Sequence, residues 1–246
     1  MRNEKIDLSI IIPSYNEKNN LKFLINKLNK LLIQNKTLEI VLVDNGSTDG
    51  SKNFLQFLKP PSTRLKIVRV KKNIGYGYGI KYGLKHANGE IVSWTHADLQ
   101  FDINDIVKFY QKNSIRIKFK KIIIKGSRKN RSVLDIFFTK SMSVLVNLIF
   151  NTNINDINAQ PNLFSRSFFK SLELPPKDFS LDLYFFFSAL EQRLPLYRFD
   201  VVFESREHGV GNNENFISKL RYSLATIQYS LGLKKSMKDL DKKQIK

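Results

Sequence analysis

Four polar motifs carry the residue types that could bind a ligand or do chemistry, and each follows directly on an apolar run. They are Pro13-Ser14-Tyr15-Asn16-Glu17, Asp44-Asn45-Gly46-Ser47-Thr48-Asp49-Gly50, Asn73-Ile74-Gly75-Tyr76-Gly77-Tyr78-Gly79 and His96-Ala97-Asp98-Leu99-Gln100. Taken singly, each motif also fits a structural role as a helix start, a capped turn or a glycine-rich loop. Their order favours a shared site, because ligands of open α/β sheets bind beyond the carboxyl ends of the strands. The absence of cysteine excludes thiol chemistry.

The apolar runs predict the strands that position these motifs. Five runs rich in Ile and Val lack polar alternation, which is typical of strands covered on both faces: Leu8–Ile12, Glu39–Val43, Leu65–Val70, Glu90–Trp94 and Lys121–Lys125. Helical spacing and capping signals predict helices between and after them: Glu17–Gln34, a segment from the Thr48-Asp49 cap to about Leu58, Tyr78–Ala87 and Ile103–Gln111. This alternation indicates an α/β fold with an open, mostly parallel sheet flanked by helices.

The second half of the chain has a different pattern. It predicts helices at Val133–Phe150, near Phe179–Gln192 and at Leu220–Leu231, with a polar segment at Asn151–Gln160 and a strand at Leu196–Phe203. No linker rich in Gly, Ser or Pro separates it from the first half. We therefore expect a single domain over residues 1–246, in which the second half is a C-terminal extension packed on the sheet.

Together, the four motifs resemble the family-2 glycosyltransferases of the GT-A fold, and among them the polyprenyl-phosphate sugar synthases of the dolichyl-phosphate mannose synthase type. The resemblance rests on Ile11 to Glu17, Val41 to Gly50, Asn73-Ile74-Gly75 with Gly77 and Gly83, and Ala97-Asp98-Leu99-Gln100. Weaker matches lie at Gly126-Ser127-Arg128, at Asp156 and at Arg206 followed by Gly209. The resemblance implies a GT-A, Rossmann-like fold in which residues 1–112 bind a nucleotide-sugar and residues 113–246 bind the acceptor.

The same resemblance implies roles for the residues of the motifs. The nucleotide-sugar would be held by Pro13, Tyr15, Asn16, Glu17, Asp44, Asn73 and Gly77, with Lys81 neutralising a phosphate. Asp98 matches the second acidic residue of the family's Asp-x-Asp element, which binds a divalent cation that bridges the diphosphate.

His96 is a departure from the family, which usually has aspartate there. The cation site would then comprise Asp98, His96 and Gln100. Imidazole suits Mn²⁺ better than Mg²⁺, so of these two possible cofactors we expect Mn²⁺ to be preferred. The alternative is that His96 is only a hydrogen-bonding neighbour of the site.

The resemblance also points to acceptor residues in the second half. Asp182 lies where these enzymes carry a carboxylate, and it would be a general base if the acceptor were a hydroxyl. The alternative for Asp182 is a helix-face carboxylate paired with a nearby arginine. A phosphate acceptor needs no base, and Asp182 would then matter less. Arg128 and Arg206 resemble arginines that grip the acceptor phosphate. Gln160-Pro161 replaces a Gly-Phe pair of these synthases, and Gly209 to Asn212 replaces their Gly-x-Ser-Lys, which leaves the acceptor open.

The charge indicates a polyanionic partner of some kind. Lys and Arg number 41 against 22 Asp and Glu, a net charge of +19, and nine of the basic residues fall in the acid-free block Lys112–Arg131. We find no signal sequence, and Val133–Phe150, interrupted by Asp135, Lys140 and Asn147, falls short of a membrane span. We expect a cytoplasmic protein, peripheral at the inner face of the membrane. The apolar side of Leu220–Leu231 would lie on the bilayer or, equally, pack on the core.

The sequence therefore predicts a metal-dependent, inverting glycosyltransferase that moves a sugar from a nucleotide-sugar to a polyprenyl phosphate or a lipid-linked glycan. One alternative is transfer to a sugar hydroxyl of a cell-surface polysaccharide. A donor-binding protein without catalysis is another, given His96. A basic nucleic-acid-binding protein has charge alone in its favour, because the sequence carries no nucleic-acid-binding motif, so we expect no nucleic acid partner.

Overall fold

The computed structural model describes residues 5–60, 62–120, 122–129, 132–173, 175–202 and 216–244, apart from the side chains of 118–120, 216, 219 and 236–244. Within these ranges, seven strands form one sheet: β1 (Leu8–Ser14), β2 (Leu38–Asp44), β3 (Leu65–Arg69), β4 (Ile91–Trp94), β5 (Ile123–Lys129), β6 (Asn162–Ser165) and β7 (Leu196–Val202). The helices are α1 (Lys18–Gln34), α2 (Ser51–Phe57), α3 (Tyr76–His86), α4 (Ile103–Lys120), α5 (Val133–Phe150), α6 (Arg166–Lys170), α7 (Leu181–Glu191) and α8 (Phe216–Gln244).

The sheet has the strand order β3-β2-β1-β4-β6-β5-β7. Strands β1 to β4 are parallel, β5 and β7 are parallel to each other, and β6 runs antiparallel to both β4 and β5. Because β6 reverses direction between two strands, every strand except β6 runs the same way. The ends of these strands therefore meet at one border of the sheet, which we call the C-terminal edge. The mostly parallel α/β sheet expected from the sequence is confirmed.

Helices cover both faces of this sheet, which explains why the strands are apolar without alternation. Leu21, Leu24 and Leu28 of α1 pack on one face, together with apolar residues of α2 and α4. Helices α3, α6 and α7 cover the other face. On that second face the fully buried Trp94 has Phe185 of α7 at a centroid distance of 4.9 Å, in an edge-to-face arrangement.

Several boundaries differ from the sequence prediction. Helix α4 continues to Lys120 rather than ending at Gln111, because Ile117 still faces the core. Strand β5 starts at Ile123 and runs through the Gly-Ser-Arg motif to Lys129. The sequence analysis missed β6 and α6, which are only four and five residues long, and placed α8 too narrowly at Leu220–Leu231.

Helix α5 also requires a correction. It has 18 residues and a mean hydropathy of 1.7, so by length and composition alone it is able to cross a membrane, contrary to our expectation for Val133–Phe150. A buried core helix can meet the same criteria, but only 17% of α5 is buried. Its first turn is capped by Ser132, whose hydroxyl accepts a hydrogen bond from the Asp135 amide at 3.1 Å.

Candidate active site

The C-terminal edge brings the first two polar motifs together. Ser14 at the end of β1 is paired with Asp44 at the end of β2, and the Asn45 amide donates to the Ser14 carbonyl at 2.8 Å. Asn16, in the left-handed region at φ 56°, accepts a hydrogen bond from the Thr48 amide at 2.9 Å through its side-chain oxygen. The Asn16 side chain therefore links the two loops, which is a structural role.

Tyr15 and Glu17 lie beside Asn16 at the opening of the edge. The Tyr15 ring is 37% exposed, which leaves a face available for stacking on a planar ligand. The Glu17 carboxylate accepts a hydrogen bond from the Asn20 side chain at 2.5 Å, while Pro13 is half-buried at the end of β1. Tyr15 is more exposed than Pro13 and Glu17, which are both half-buried.

Asp44 is almost fully enclosed, with 2% of its surface exposed. One carboxylate oxygen accepts from the Ser47 amide at 2.9 Å, and the other pairs with the guanidinium of Arg69, a residue that the sequence analysis missed. Asp44 and Arg69 border a cavity of about 450 Å³, whose other walls include Lys52, Leu55 and Ile67. Apolar walls with a few charged groups are suited to a planar heterocycle such as a nucleobase.

The glycine-rich motif meets the segment that precedes α7. A Cβ atom at Gly75, where φ is 136°, would lie 2.4 Å from the carbonyl oxygen of Lys177, and one at Gly77 would lie 2.6 Å from that of Pro176. These two glycines are thus required for close backbone packing within the protein. The Asn73 side chain completes the turn by accepting a hydrogen bond from the Gly75 amide at 2.9 Å.

Lys81 is directed toward the same segment. Its ammonium group donates to the Pro175 carbonyl at 3.2 Å, and burial together with the nearby Lys177 and Lys85 lowers its pKa below the usual lysine value. These contacts give no support to the predicted role of Lys81 at a donor phosphate.

The turn after β4 holds the residues predicted to bind a cation. Asp98 is 6% exposed, and one of its oxygens accepts from the Gln100 amide at 3.3 Å across Leu99, which has φ 61°. His96 lies two residues earlier on the same turn, with its ring centroid 5.8 Å from that of Tyr76. Among the described residues, no group of three or more His, Asp or Glu side chains forms a complete metal site. A carboxylate and an imidazole are groups that can bind a divalent cation, so the cation site at Asp98 and His96 stays a prediction.

Asp182 lies away from solvent on the first turn of α7, with 2% of its surface exposed. Its Oδ1 atom accepts hydrogen bonds from the indole of Trp94 at 3.2 Å and from the amide of Asn162 at 2.9 Å. The alternative that Asp182 pairs with an arginine is not the contact seen here. Its partners are neutral side chains on β4 and β6.

Tyr76 connects Asp182 with the cation turn and was not identified from the sequence. Its hydroxyl accepts a hydrogen bond from Gln160, and its ring stacks on Phe179 at 4.7 Å. Burial and the charge of Asp182 raise the pKa of Tyr76 well above the usual tyrosine value, so the phenol stays protonated. Because the Tyr76 ring also lies beside His96, it joins the two halves of the site.

A buried lysine, Lys125, is the third residue that sequence reasoning missed. It has no exposed surface, and its ammonium group donates to the carbonyl of Ala159 at 2.6 Å and to the side-chain oxygen of Asn162 at 2.8 Å. Burial lowers the pKa of Lys125 to about 8, an effect that the negative charge of Asp182 opposes. The one available signal was its position directly after three isoleucines.

Of the two arginines predicted to bind the acceptor, Arg128 is described by the structure and Arg206 is not. Arg128, near the end of β5, forms an ion pair with Asp156, and its amide donates to the same carboxylate at 3.2 Å. It also borders a cavity of about 120 Å³ between α5 and α8, next to Phe138, Met142 and Tyr222. A phosphate in this cavity would share Arg128 with Asp156. Arg206 lies outside the described residues.

Comparison with known proteins identifies the chain. The sequence profile of "Glycosyl transferase family 2" matches residues 9–170, which include every motif of the C-terminal edge. The chain belongs to glycosyl transferase family 2. Its polyprenyl-phosphate relatives include the dodecaprenyl-phosphate galacturonate synthase of Rhizobium johnstonii, 24% identical over 70% of this chain and 51% of the relative.

Two other relatives of this family-2 glycosyltransferase are similar over shorter segments. The undecaprenyl-phosphate 4-deoxy-4-formamido-L-arabinose transferase of an Enterobacter species is 30% identical over 57% of this chain and 42% of its own length. An uncharacterized glycosyltransferase of a Synechocystis species is 38% identical over 39% of this chain and 30% of its own length. The chain thus spans about half, or less, of the length of these curated relatives.

Solved structures agree on the fold. The glucosyl-3-phosphoglycerate synthase of Mycobacterium tuberculosis, in complex with Mn²⁺, UDP and glucosyl-3-phosphoglycerate, superimposes with a TM-score of 0.68 at 16% identity, over 92% of this chain and 80% of that one. At this identity the likeness concerns the fold alone. The family-2 glycosyltransferase accordingly has the GT-A fold that the sequence predicted.

Proposed function

We propose that this family-2 glycosyltransferase transfers a sugar from a nucleotide-sugar to a polyprenyl phosphate at the cytoplasmic face of a membrane, with inversion at the anomeric carbon. The relatives named as dodecaprenyl- and undecaprenyl-phosphate enzymes support this acceptor class. The structure adds an independent argument, which comes from the surface next to Arg128.

The observation that carries the proposal is an exposed apolar face on α5 and α8, which we call the α5–α8 face. Its members are Val133, Leu134, Phe137, Val144, Leu145 and Leu148 on α5, and Ile217, Leu220, Leu224 and Leu231 on α8. Exposed cations, Lys140, Arg221 and Lys235, lie on the same two helices. Apolar area bordered by cations suits the interface of an anionic bilayer.

The position of this face relative to the site supports a lipid acceptor. Helix α5 follows β5, whose direction puts Arg128 near the C-terminal edge, where the donor motifs also lie. The cavity beside Arg128 opens between the two helices that carry the face. A lipid whose tail stays in the bilayer would thus present its phosphate near Arg128.

The burial of Asp182 favours a phosphate over a hydroxyl acceptor. A general base must reach the proton that it removes, yet Asp182 is enclosed by Trp94 and Asn162. A phosphate oxygen is already anionic and attacks without proton loss. Transfer to a sugar hydroxyl would need Asp182 as the base and is less well supported.

In this reaction a bond forms between an acceptor phosphate oxygen and the anomeric carbon, and the bond from that carbon to the diphosphate breaks in line with it. The electron pair of the broken bond leaves with the nucleoside diphosphate. Asp98 and His96 would hold a divalent cation, which would stabilise the charge of the departing diphosphate as a Lewis acid. The residues of the C-terminal edge fix the donor, so that most of the rate comes from alignment of the two reactants.

The role of Asp98 gives the first test of this proposal. Purified protein is incubated with a panel of nucleotide-sugars, Mn²⁺ and polyprenyl phosphate, and Asp98→Asn is compared with wild type. Loss of the carboxylate should lower turnover by about 100-fold, the usual scale for removing one group that stabilises developing charge. The matched control is Asp105→Asn, which removes an exposed carboxylate paired with Lys108 on α4. Equal turnover in wild type and Asp98→Asn would refute the metal-assisted mechanism.

A further inference from the structure

A row of polar side chains crosses the acceptor half of the sheet at one level. The strand register places Trp94 of β4 opposite Asn162 of β6, Asn162 opposite Lys125 of β5, and Lys125 opposite Arg198 of β7. Residues directly opposite each other in a sheet share a face, so these four point to the same side. We call them the cross-strand row.

Helix α7 packs on the cross-strand row, and two of its residues contact members of the row. Asp182 accepts hydrogen bonds from Trp94 and Asn162. Phe186, one turn further on, presents its ring to the cations of Lys125 and Arg198. The Lys125 ammonium is 5.8 Å and the Arg198 guanidinium 5.3 Å from the centroid of the Phe186 ring. Asn162 is the central member, because its oxygen accepts from Lys125 while its nitrogen donates to Asp182.

The charges around Lys125 balance one another in number, so the charge of Lys125 itself is left in excess. The anions that act on it are Asp182 and Asp156, and the cations are Arg198 and Arg128, with Lys125 itself the most deeply buried of all. A buried ammonium is costly, and apolar residues of similar volume usually stabilise a fold at least as well. Stability of the fold alone therefore does not explain why Lys125 is buried. The Asp182 carboxylate, which is hydrogen-bonded to the row, offers another explanation.

We propose that Lys125 is a positioning residue of the transfer site: acting through Asn162, it holds the Asp182 carboxylate oriented toward Tyr76. The proposal rests on the proposed glycosyl transfer. Tyr76 carries the effect onward, because its hydroxyl lies in the field of Asp182 and its ring neighbours His96 of the cation turn. Gln160, where the sequence departs from the polyprenyl-phosphate synthases, holds the same hydroxyl.

The kinetic test uses Lys125→Met, which keeps the length of the side chain but removes its charge. We expect kcat to fall about tenfold or more, the usual effect of a residue that orients a functional group, with the donor KM unchanged. Lys125→Arg should restore part of the loss. The wild-type rate should decline above about pH 8 as Lys125 loses its proton, and this decline should be absent in Lys125→Met. Lys27→Met, at an exposed site on α1, is the control. An unchanged kcat, or a decline that persists in Lys125→Met, would overturn the proposal.

A second measurement is independent of any transfer activity. The Lys125 resonance of ¹³C-labelled lysine, assigned by its absence in Lys125→Met, is followed by NMR as the pH is raised. We expect it to titrate near pH 8 in wild type and at a lower pH in Asp182→Asn, because the carboxylate stabilises the ammonium. Identical titrations in the two proteins, or an ordinary lysine titration in wild type, would overturn the proposal. If no donor and acceptor pair gives transfer, the proposed function fails and these titrations still decide the coupling of Lys125 with Asp182.

Discussion

At the scale of single residues, the buried aspartates Asp98 and Asp182 have different neighbours. Asp98 lies on a turn beside His96, where a bound diphosphate would complete the ligands of a cation. Asp182 lies on the first turn of α7 and accepts hydrogen bonds from the neutral side chains of Trp94 and Asn162. We therefore propose that Asp98 acts at the donor and that Asp182 orients its neighbours.

The metal preference tests the role of His96. Because imidazole is a better ligand for Mn²⁺ than for Mg²⁺, turnover should be higher with Mn²⁺ at equal concentration. His96→Ala should bring the two rates together, whereas His86→Ala, at an exposed position on α3, should leave their ratio unchanged. The measurement is initial rate against metal concentration. Equal or better turnover of wild type with Mg²⁺ would contradict a role for His96 as a ligand.

The buried ammonium of Lys125 predicts a pH dependence of stability. Its pKa is about 8 in the folded protein, against 10.5 for an ordinary lysine, so between these values the unfolded chain binds more protons. The free energy of unfolding of wild type should therefore rise with pH across this window, relative to Lys125→Met, by up to about 3 kcal/mol. Urea unfolding of both proteins between pH 7.5 and 10.5 measures the difference. A difference that stays flat or falls with pH would show that Lys125 is not buried as a cation.

The sequence motifs predicted Asp44, Asp98 and Tyr15 at the shared edge because each follows an apolar run directly. Lys125 and Tyr76 were missed for a physical reason. The three isoleucines before Lys125 were the one local sign of its burial. Its partners Ala159 and Asn162 come from a distant segment, which a lysine in a basic block does not indicate. Gly77 was predicted to hold the nucleotide-sugar, although the structure packs it, together with Gly75, against the backbone before α7.

At the scale of elements, the long apolar runs were predictable and the short elements were not. Strands β1 to β4 and helices α1, α5 and α7 were found nearly to the residue, because their apolar spacing extends over their whole length. Strand β6 has only four residues, too few for a periodic pattern. Its insertion between β4 and β5 depends on pairing with both neighbours, which no local signal encodes.

Helix α5 yields a prediction at this scale. Phe137→Glu combined with Leu148→Glu puts two charges on the α5–α8 face. Each lost apolar contact is worth about 1.5 kcal/mol or more, so binding to anionic vesicles should fall about 100-fold for the pair. Vesicle sedimentation measures the bound fraction.

Ile33→Glu provides the matched control, because it changes an exposed isoleucine on α1, outside this face. It should bind vesicles as wild type does. Wild type should also be released from membranes by alkaline carbonate, which removes peripheral proteins. Undiminished vesicle binding by the double variant would contradict membrane docking through this face, and retention after carbonate would instead indicate that α5 spans the bilayer.

At the scale of the whole molecule, the basic residues behind the net charge of +19 lie in different surroundings. Arg69, Lys125 and Arg128 have partners inside the protein. Lys140, Arg221 and Lys235 are exposed beside the α5–α8 face, where they would attract anionic lipid. Because the chain belongs to a glycosyltransferase family, its positive charge points to anionic partners other than nucleic acid.

The choice of acceptor is the central claim for the molecule, and paired acceptors test it most directly. Wild-type protein, Mn²⁺ and a labelled nucleotide-sugar are added to anionic vesicles that contain either polyprenyl phosphate or the matching polyprenol. Label should enter the lipid fraction with polyprenyl phosphate and not with polyprenol, because only the phosphate brings an anionic nucleophile that needs no base. Equal transfer to polyprenol, or transfer only to an added glycan, would contradict the account.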